Sequence, residues 1–159
     1  MNTSDSSNFD QRLEELGIVL PQPSAPAANY MPARRGPGVI YISGQVPRLD
    51  GVDHYVGKLG REFGMEEGQA AARLCAINIL AQLKHALGGS LDQVAGCLRL
   101  GGFVNCTAEF GDMPTVINGA SDLMVAVFGD AGRHARAAVG CSALPRNVAV
   151  EVDAIFELK

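Results

Sequence analysis

The residues best suited to chemistry stand in the last 24 positions of the chain. From Arg136 to Ala143 the sequence reads as a strand. Arg136, Ala138, Gly140 and Ser142 share one face, and Ala137, Val139, Cys141 and Ala143 the other, because side chains alternate along a strand. Leu144-Pro145-Arg146-Asn147 supplies the chemistry of a tight turn. A second strand, Val148 to Phe156, buries Val148, Val150, Val152, Ala154 and Phe156 and turns Glu151, Asp153 and, just past its end, Glu157 the other way. Read as adjacent strands, these place a fixed cation beside a fixed carboxylate. The planar guanidinium of Arg136 matches a carboxylate through two parallel N–H donors. A glutamate on the next strand could hold or deprotonate a water beside the bound acid. Alternation alone does not separate Glu151 from Asp153 or Glu157. It also allows the plainer reading of a strand-end arginine paired with an acidic neighbour.

The elements that must hold this pair follow from periodicity. Asn8 caps a short helix from Phe9 to Leu16, in which Phe9, Leu13 and Leu16 share a face and Gly17 ends the turn. Residues 1–7 are polar and are expected to be disordered. Five prolines between Pro21 and Gly38 argue for a surface or pocket-lining loop without regular structure. Val39 to Ser43 reads as a strand, Pro47 to Gly51 as a turn, and His54 to Leu59 as a second strand paired to the first. The clearest helix runs from Met65 to Leu87, with Ala70, Leu74, Ile77, Leu80, Leu83 and Leu87 as its apolar stripe. Ala95 to Val104 reads as a strand interrupted by glycines. Pro114 opens a helix to Phe128 that turns Val116, Ala120, Leu123, Met124 and Val127 inward. The order β-β-α-β-α-β-β predicts an α+β layer with helices on one sheet face. Small or apolar outward positions (Gly101, Ala138, Ala149 and Ile155) predict that the other face is covered by further subunits.

Composition narrows the classes. With 159 residues the chain suits one domain, and a net charge of −4 with scattered Lys and Arg argues against a nucleic-acid surface. No apolar run is long enough for a membrane span, and the N-terminus lacks the pattern of a signal peptide, so the expected location is cytoplasmic. Cys75, Cys97, Cys106 and Cys141 form no C-x-x-C pair and have no histidine at ligand spacing, so no metal site is expected.

Tyr30, then Ser43-Gly44-Gln45, Phe103-Val104-Asn105, Asn118, and the closing pattern from Ala135-Arg136 through Leu144-Pro145 to Val150-Glu151-Val152 and Ala154-Ile155 occur in this order. In this order the chain resembles the Rid family, YjgF-like proteins once labelled endoribonuclease L-PSP, over residues 26–158. The resemblance implies a chorismate-mutase-like fold in a homotrimer: a mixed sheet with two helices on one face, and ligand pockets between subunits. On this division residues 1–25 form an N-terminal arm with its short helix and 26–159 a single domain.

The resemblance further implies hydrolysis of reactive 2-enamino and 2-imino acids to keto acids and ammonia, without metal or organic cofactor. Arg136 would bind the carboxylate, and Glu151, singled out by its place in the family pattern, would position water. Tyr30, Ser43, Gly44 and Asn118 would join Arg136 in binding substrate. Tyr30 would wall the pocket, Ser43 and Gly44 would offer backbone N–H groups, and His134 could add a polar contact. The same pocket could instead serve a non-catalytic metabolite-binding regulator. Ribonuclease activity, suggested by the older label, fits poorly with the acidic balance. Two positions depart from the pattern: Ala138 stands where imine-hydrolysing members often carry cysteine, and Ala28-Asn29 where Gly-Pro is usual.

Overall fold

The computed structural model describes residues 8–26 and 28–159, so the expectation for residues 1–7 falls outside the described chain. The elements in chain order are α1 (Phe9–Glu15), β1 (Ala33–Gly36), β2 (Val39–Gln45), β3 (Arg48–Leu49), β4 (Val52–Asp53) and α2 (Met65–Ala86). They continue with β5 (Val94–Asn105), α3 (Met113–Phe128), β6 (Ala135–Cys141) and β7 (Val150–Leu158). Five strands form one sheet in the order β1-β2-β7-β5-β6, antiparallel except for the parallel pair β5–β6 that α3 connects. The short pair β3–β4 stands apart as a hairpin. The fold is mixed α+β, with α2 and α3 on one sheet face and the short α1 as a third helix.

The core lies between the sheet and the two long helices. Val150, Val152, Ala154 and Phe156 of β7 alternate inward beside Ile40 and Ile42 of β2 and Leu100 and Val104 of β5. From α3, Val116, Ala120, Leu123, Met124 and Val127 meet them, as their spacing predicts. In α2 the buried arc is centred differently from the expected stripe. Leu80, Leu83 and Leu87 are buried, but Ala70, Leu74 and Ile77 are only half-buried, and Gly68, Ala72, Cys75, Ala76 and Ile79 face the core. Small residues lie where α2 meets α3: a side-chain carbon at Gly119 would overlap the Gln69 carbonyl. The larger residues sit at the flanks of the contact.

Three expectations are corrected. Ala33–Gly36, inside the proline-rich stretch, is an edge strand, since its four residues lie between Pro32 and Pro37 and contain no proline. His54–Leu59 is no strand; Tyr55 takes a φ of 51° and Gly57 of 147°, which break the extended run into single bridges to Val148 and Cys106. Ala138 and Ala149 point toward the helices or are buried, while Gly101 and Ile155 do face outward. No helix of the described residues is long and apolar enough to cross a membrane.

The N-terminal helix is clamped to this core. Asn8 Oδ1 accepts the Gln11 N–H at 2.9 Å, and Gly17 takes a φ of 66° just beyond the helix end. Phe9 stacks edge-on against Phe128 with ring centroids 4.8 Å apart, and Arg12 donates to the Ala126 carbonyl. Asp10 accepts from Ser90 Oγ and the Leu91 N–H and lies 2.9 Å from Lys84 Nζ. Desolvation opposes its charge, but Lys84 and these donors outweigh it and hold its pKa below the ordinary 3.8. Phe9→Ala should therefore cost about 3 kcal/mol in urea unfolding. The contribution of Asp10 should be complete above pH 3.8 and vanish as pH falls through its lowered value. Loss of this acid-side component in Asp10→Asn melts would confirm the clamp.

Candidate functional site

A cleft of about 710 Å³ opens where β2 ends, lined by Tyr30, Gly44, Arg48, Asn78, Arg146 and Glu151 among others. Its floor is set by a β-bulge. Ile42 pairs with Ala154 and Gln45 with Val152, so three steps of β2 face two of β7. The extra residue places Gly44 directly against the Glu151 side chain, where any Cβ would overlap the carboxylate. Only glycine admits the acid at this point. Ser43 is spent elsewhere. Its N–H donates to the Pro32 carbonyl and its hydroxyl to the Met31 carbonyl, which ties down the loop carrying Tyr30. The expected use of the Ser43 N–H as a ligand donor is thus replaced by an anchoring role. Tyr30 itself is half exposed on the cleft wall.

Glu151 is half-buried and accepts no hydrogen bond from the described residues. Burial raises its pKa above the ordinary 4.5, the charge of Asp153 adds to the rise, and nearby Arg146 opposes it. Such a carboxyl is a stronger base than an exposed one. Across the cleft Asp53 bridges two arginines. Arg146 reaches it through Nε and Nη2, and Arg48 through Nη1 at 2.8 Å. The hydrogen bond from Arg146 leads the forces that hold Asp53 ionised. Residues 146 and 147 both adopt left-handed φ values, 54° and 58°. That turn is pinned from below by Asn105, which is fully buried and donates to the Asn147 side chain and the Val148 carbonyl. Lys58 in turn donates to Asn105 Oδ1 at 2.6 Å.

Arg136 belongs to a second cluster. Its Nη1 donates to Asn118 Oδ1 at 2.7 Å and to Ser121 Oγ at 3.2 Å, both on α3. His134 Nδ1 lies 2.6 Å from the Gly132 carbonyl and can only donate there; in the neutral ring Nε2 then accepts from Ser121 Oγ at 2.9 Å. Asn118, Ser121 and His134 thus form a cradle that orients the guanidinium.

The two clusters are separate within one chain. β6 pairs with β5, not with β7, so Arg136 and Glu151 are not on adjacent strands. Arg136 and Ala154 both pair with Leu100, whereas Glu151 pairs with Phe103 one face over. The arginine therefore projects on the helix side and the glutamate on the open side. The expected neighbouring pair is corrected: β5 lies between. The sequence reading also passed over Arg146, Arg48, Asp53 and Ser121. The first lay within the Leu144-Pro145-Arg146-Asn147 stretch read as a tight turn, which gave its side chain no role.

Residues 10–158 match the YjgF/chorismate mutase-like family, whose description also carries an endoribonuclease label. Protein TCP17 of Trypanosoma cruzi is 44% identical over 159 residues, 99% of each chain. The crystal structure of Atu1372 from Agrobacterium tumefaciens, of unknown function, is 45% identical with a TM-score of 0.89, covering 97% of this chain and 94% of that one. A Shewanella oneidensis protein named as a candidate endoribonuclease is 36% identical with a TM-score of 0.91, over 95% and 99% of the two chains. The YjgF gene product of E. coli shares the fold at 22% identity and a TM-score of 0.63, over 89% and 96%.

Gly44→Ala tests the close approach. The added methyl should expel the carboxylate into solvent, and the Glu151 pKa, followed by carboxyl NMR titration, should fall toward 4.5. The overpacking should cost about 1–3 kcal/mol in stability.

Proposed function

This chain belongs to the Rid/YjgF-like family, and from that premise we propose that it hydrolyses reactive 2-enamino and 2-imino acids at a site shared between copies in a homotrimer. One observation carries the reading. Arg136 and Glu151 serve opposite faces of one sheet, so a site that uses both takes the arginine from one copy and the glutamate from its neighbour. Edge strand β6 supports this, being exposed along most of its length, with Val139 46% exposed and with Leu98 of β5 and Tyr41 of β2 also uncovered.

In this mechanism Arg136, oriented by Asn118 and Ser121, grips the substrate carboxylate, while Tyr30 and Gly44 shape the wall around the reacting carbon. Water adds through oxygen to C2 of the iminium form, and its proton passes to Glu151. Glu151 returns that proton to the nitrogen of the carbinolamine, and the C–N bond breaks with its electron pair leaving on ammonia. The carbinol hydroxyl gives its proton to the departing ammonia as the carbonyl forms, so keto acid and ammonium leave. The iminium is electrophilic enough that orientation and one base suffice. The small side chain of Ala138 leaves no thiol on this face of β6.

Arg136→Ala should lower kcat/KM for ammonia release from 2-aminoacrylate generated in situ at least about a hundredfold, and Glu151→Gln comparably. Mixing the two inactive variants before reassembly should restore roughly a quarter of wild-type activity, since one site in four then combines both intact residues. Zero recovery from co-assembled variants would rule out a site that takes the arginine from one copy and the glutamate from its neighbour. Binding of keto acids without any turnover would instead identify a metabolite-binding regulator.

The ionised form of Glu151 is the active base, so activity should fall on the acid side at a pH above 4.5, because the folded value is raised. Asp153→Asn removes a charge that contributes to the rise and should move this limb to lower pH in a kcat/KM profile.

A further inference from the structure

The cleft is larger than a three-carbon acid requires. Its 710 Å³ lies within the roughly 300–1,000 Å³ of pockets that hold drug-sized ligands. Beyond Glu151 and Tyr30 it continues past Arg146 to Arg48, Asn78 and Gln82. In this extension a single aspartate, Asp53, is shared by two guanidiniums, with Glu151 as the acid at the other end of the cleft. Arg146 spends its Nε and Nη2 on Asp53, and Nη1 has no partner among the described residues. Arg48 spends Nη1 on Asp53 and Nη2 on the Gly51 carbonyl, leaving Nε without one. Asn78 donates to the Val46 and Arg48 carbonyls, which fixes the backbone beneath Arg48. The Asn105 and Lys58 hydrogen bonds fix the turn beneath Arg146. Both cations are therefore held in place by other bonds, with donors to spare, in the same cleft as the proposed water-activating acid.

We propose that Arg146 and Arg48, oriented by Asp53, form a subsite for a second acidic group, and that the substrates are 2-imino or 2-enamino dicarboxylates. This rests on the deaminase reading, in which Arg136 of the neighbouring copy takes the first carboxylate. Arg146 then takes the distal one, with Arg48 completing the positive wall. Held at both ends, the substrate presents C2 between them to the water at Glu151. A monocarboxylate would fill only the Arg136 end.

The two product classes separate the subsite from the reaction. Calorimetric titration of the assembled protein with 2-oxoglutarate and with pyruvate should show the dicarboxylate binding at least about tenfold tighter, as expected for a second charge-assisted contact. In Arg146→Gln that preference should fall to near unity. Arg48→Gln, which leaves the left-handed turn untouched, should reduce it in the same direction. Arg136→Ala should weaken both ligands together. Equal affinity of the wild-type protein for the two acids, or a preference that survives Arg146→Gln, overturns the subsite whatever the activity. If the preference behaves as stated but no imine is hydrolysed, the subsite stands and the deaminase reading fails.

Discussion

A β-strand can offer a given side chain to only one face of its sheet, and β5 sits between β6 and β7. Most of the architecture follows from that position. The 12 residues of β5 hold β6 in parallel through the α3 crossover and β7 in antiparallel register. Parallel pairing commits Arg136 to the side where α3 supplies Asn118 and Ser121. Antiparallel pairing commits Glu151 to the open side, where the β2 bulge brings Gly44 against it. A cation with helical support and an acid with a cleft are thus products of one register. Neither can move to the other's face without a slip that would turn the core residues of its strand outward.

Much of this was legible in the chain. The 3.6-residue period placed α3 and its buried face correctly. The Asn8 cap, the Gly17 stop and the inward face of β7 were likewise read from residue type and spacing. What escaped was whatever depends on partners distant in sequence. Two strands joined by a short turn look adjacent, yet β5 inserts between them, and no local signal marks a pairing made some 50 residues away. The stripe in α2 was misplaced for a related reason. Side-chain size suggested Leu74 and Ile77, whereas close contact with α3 selects glycine and alanine. Tyr55 has no visible excuse for its left-handed φ until the loop is seen to bond Asn147 and Ala149.

The candidate site residues divide along the same line. Arg136, Asn118, Tyr30, Gly44 and Glu151 could be named from an ordered pattern, but their grouping into two clusters could not. Arg146, Arg48 and Asp53 had no pattern to announce them, being scattered over almost 100 positions and joined only by folding. Beneath them lies the buried amide of Asn105. It satisfies its donors and acceptor on Gly57, Lys58, Asn147 and Val148, and so ties the 57–58 loop and the 147–148 turn to the end of β5 at one side chain. A hub of this kind is costly to leave half-satisfied, which makes the geometry above it rigid.

The bareness of β6 has a genetic corollary. Ala135, Ala137 and Val139 are exposed and contribute almost nothing to the chain's own interior. Replacing them removes little from the stability of a single chain, so any intolerance at these positions must arise from what lies against the strand. In a scan of every substitution, a folding reporter and a fitness reporter should agree along β7 and part company along β6. The strand would then appear as a run of positions that the monomer ignores and the organism does not.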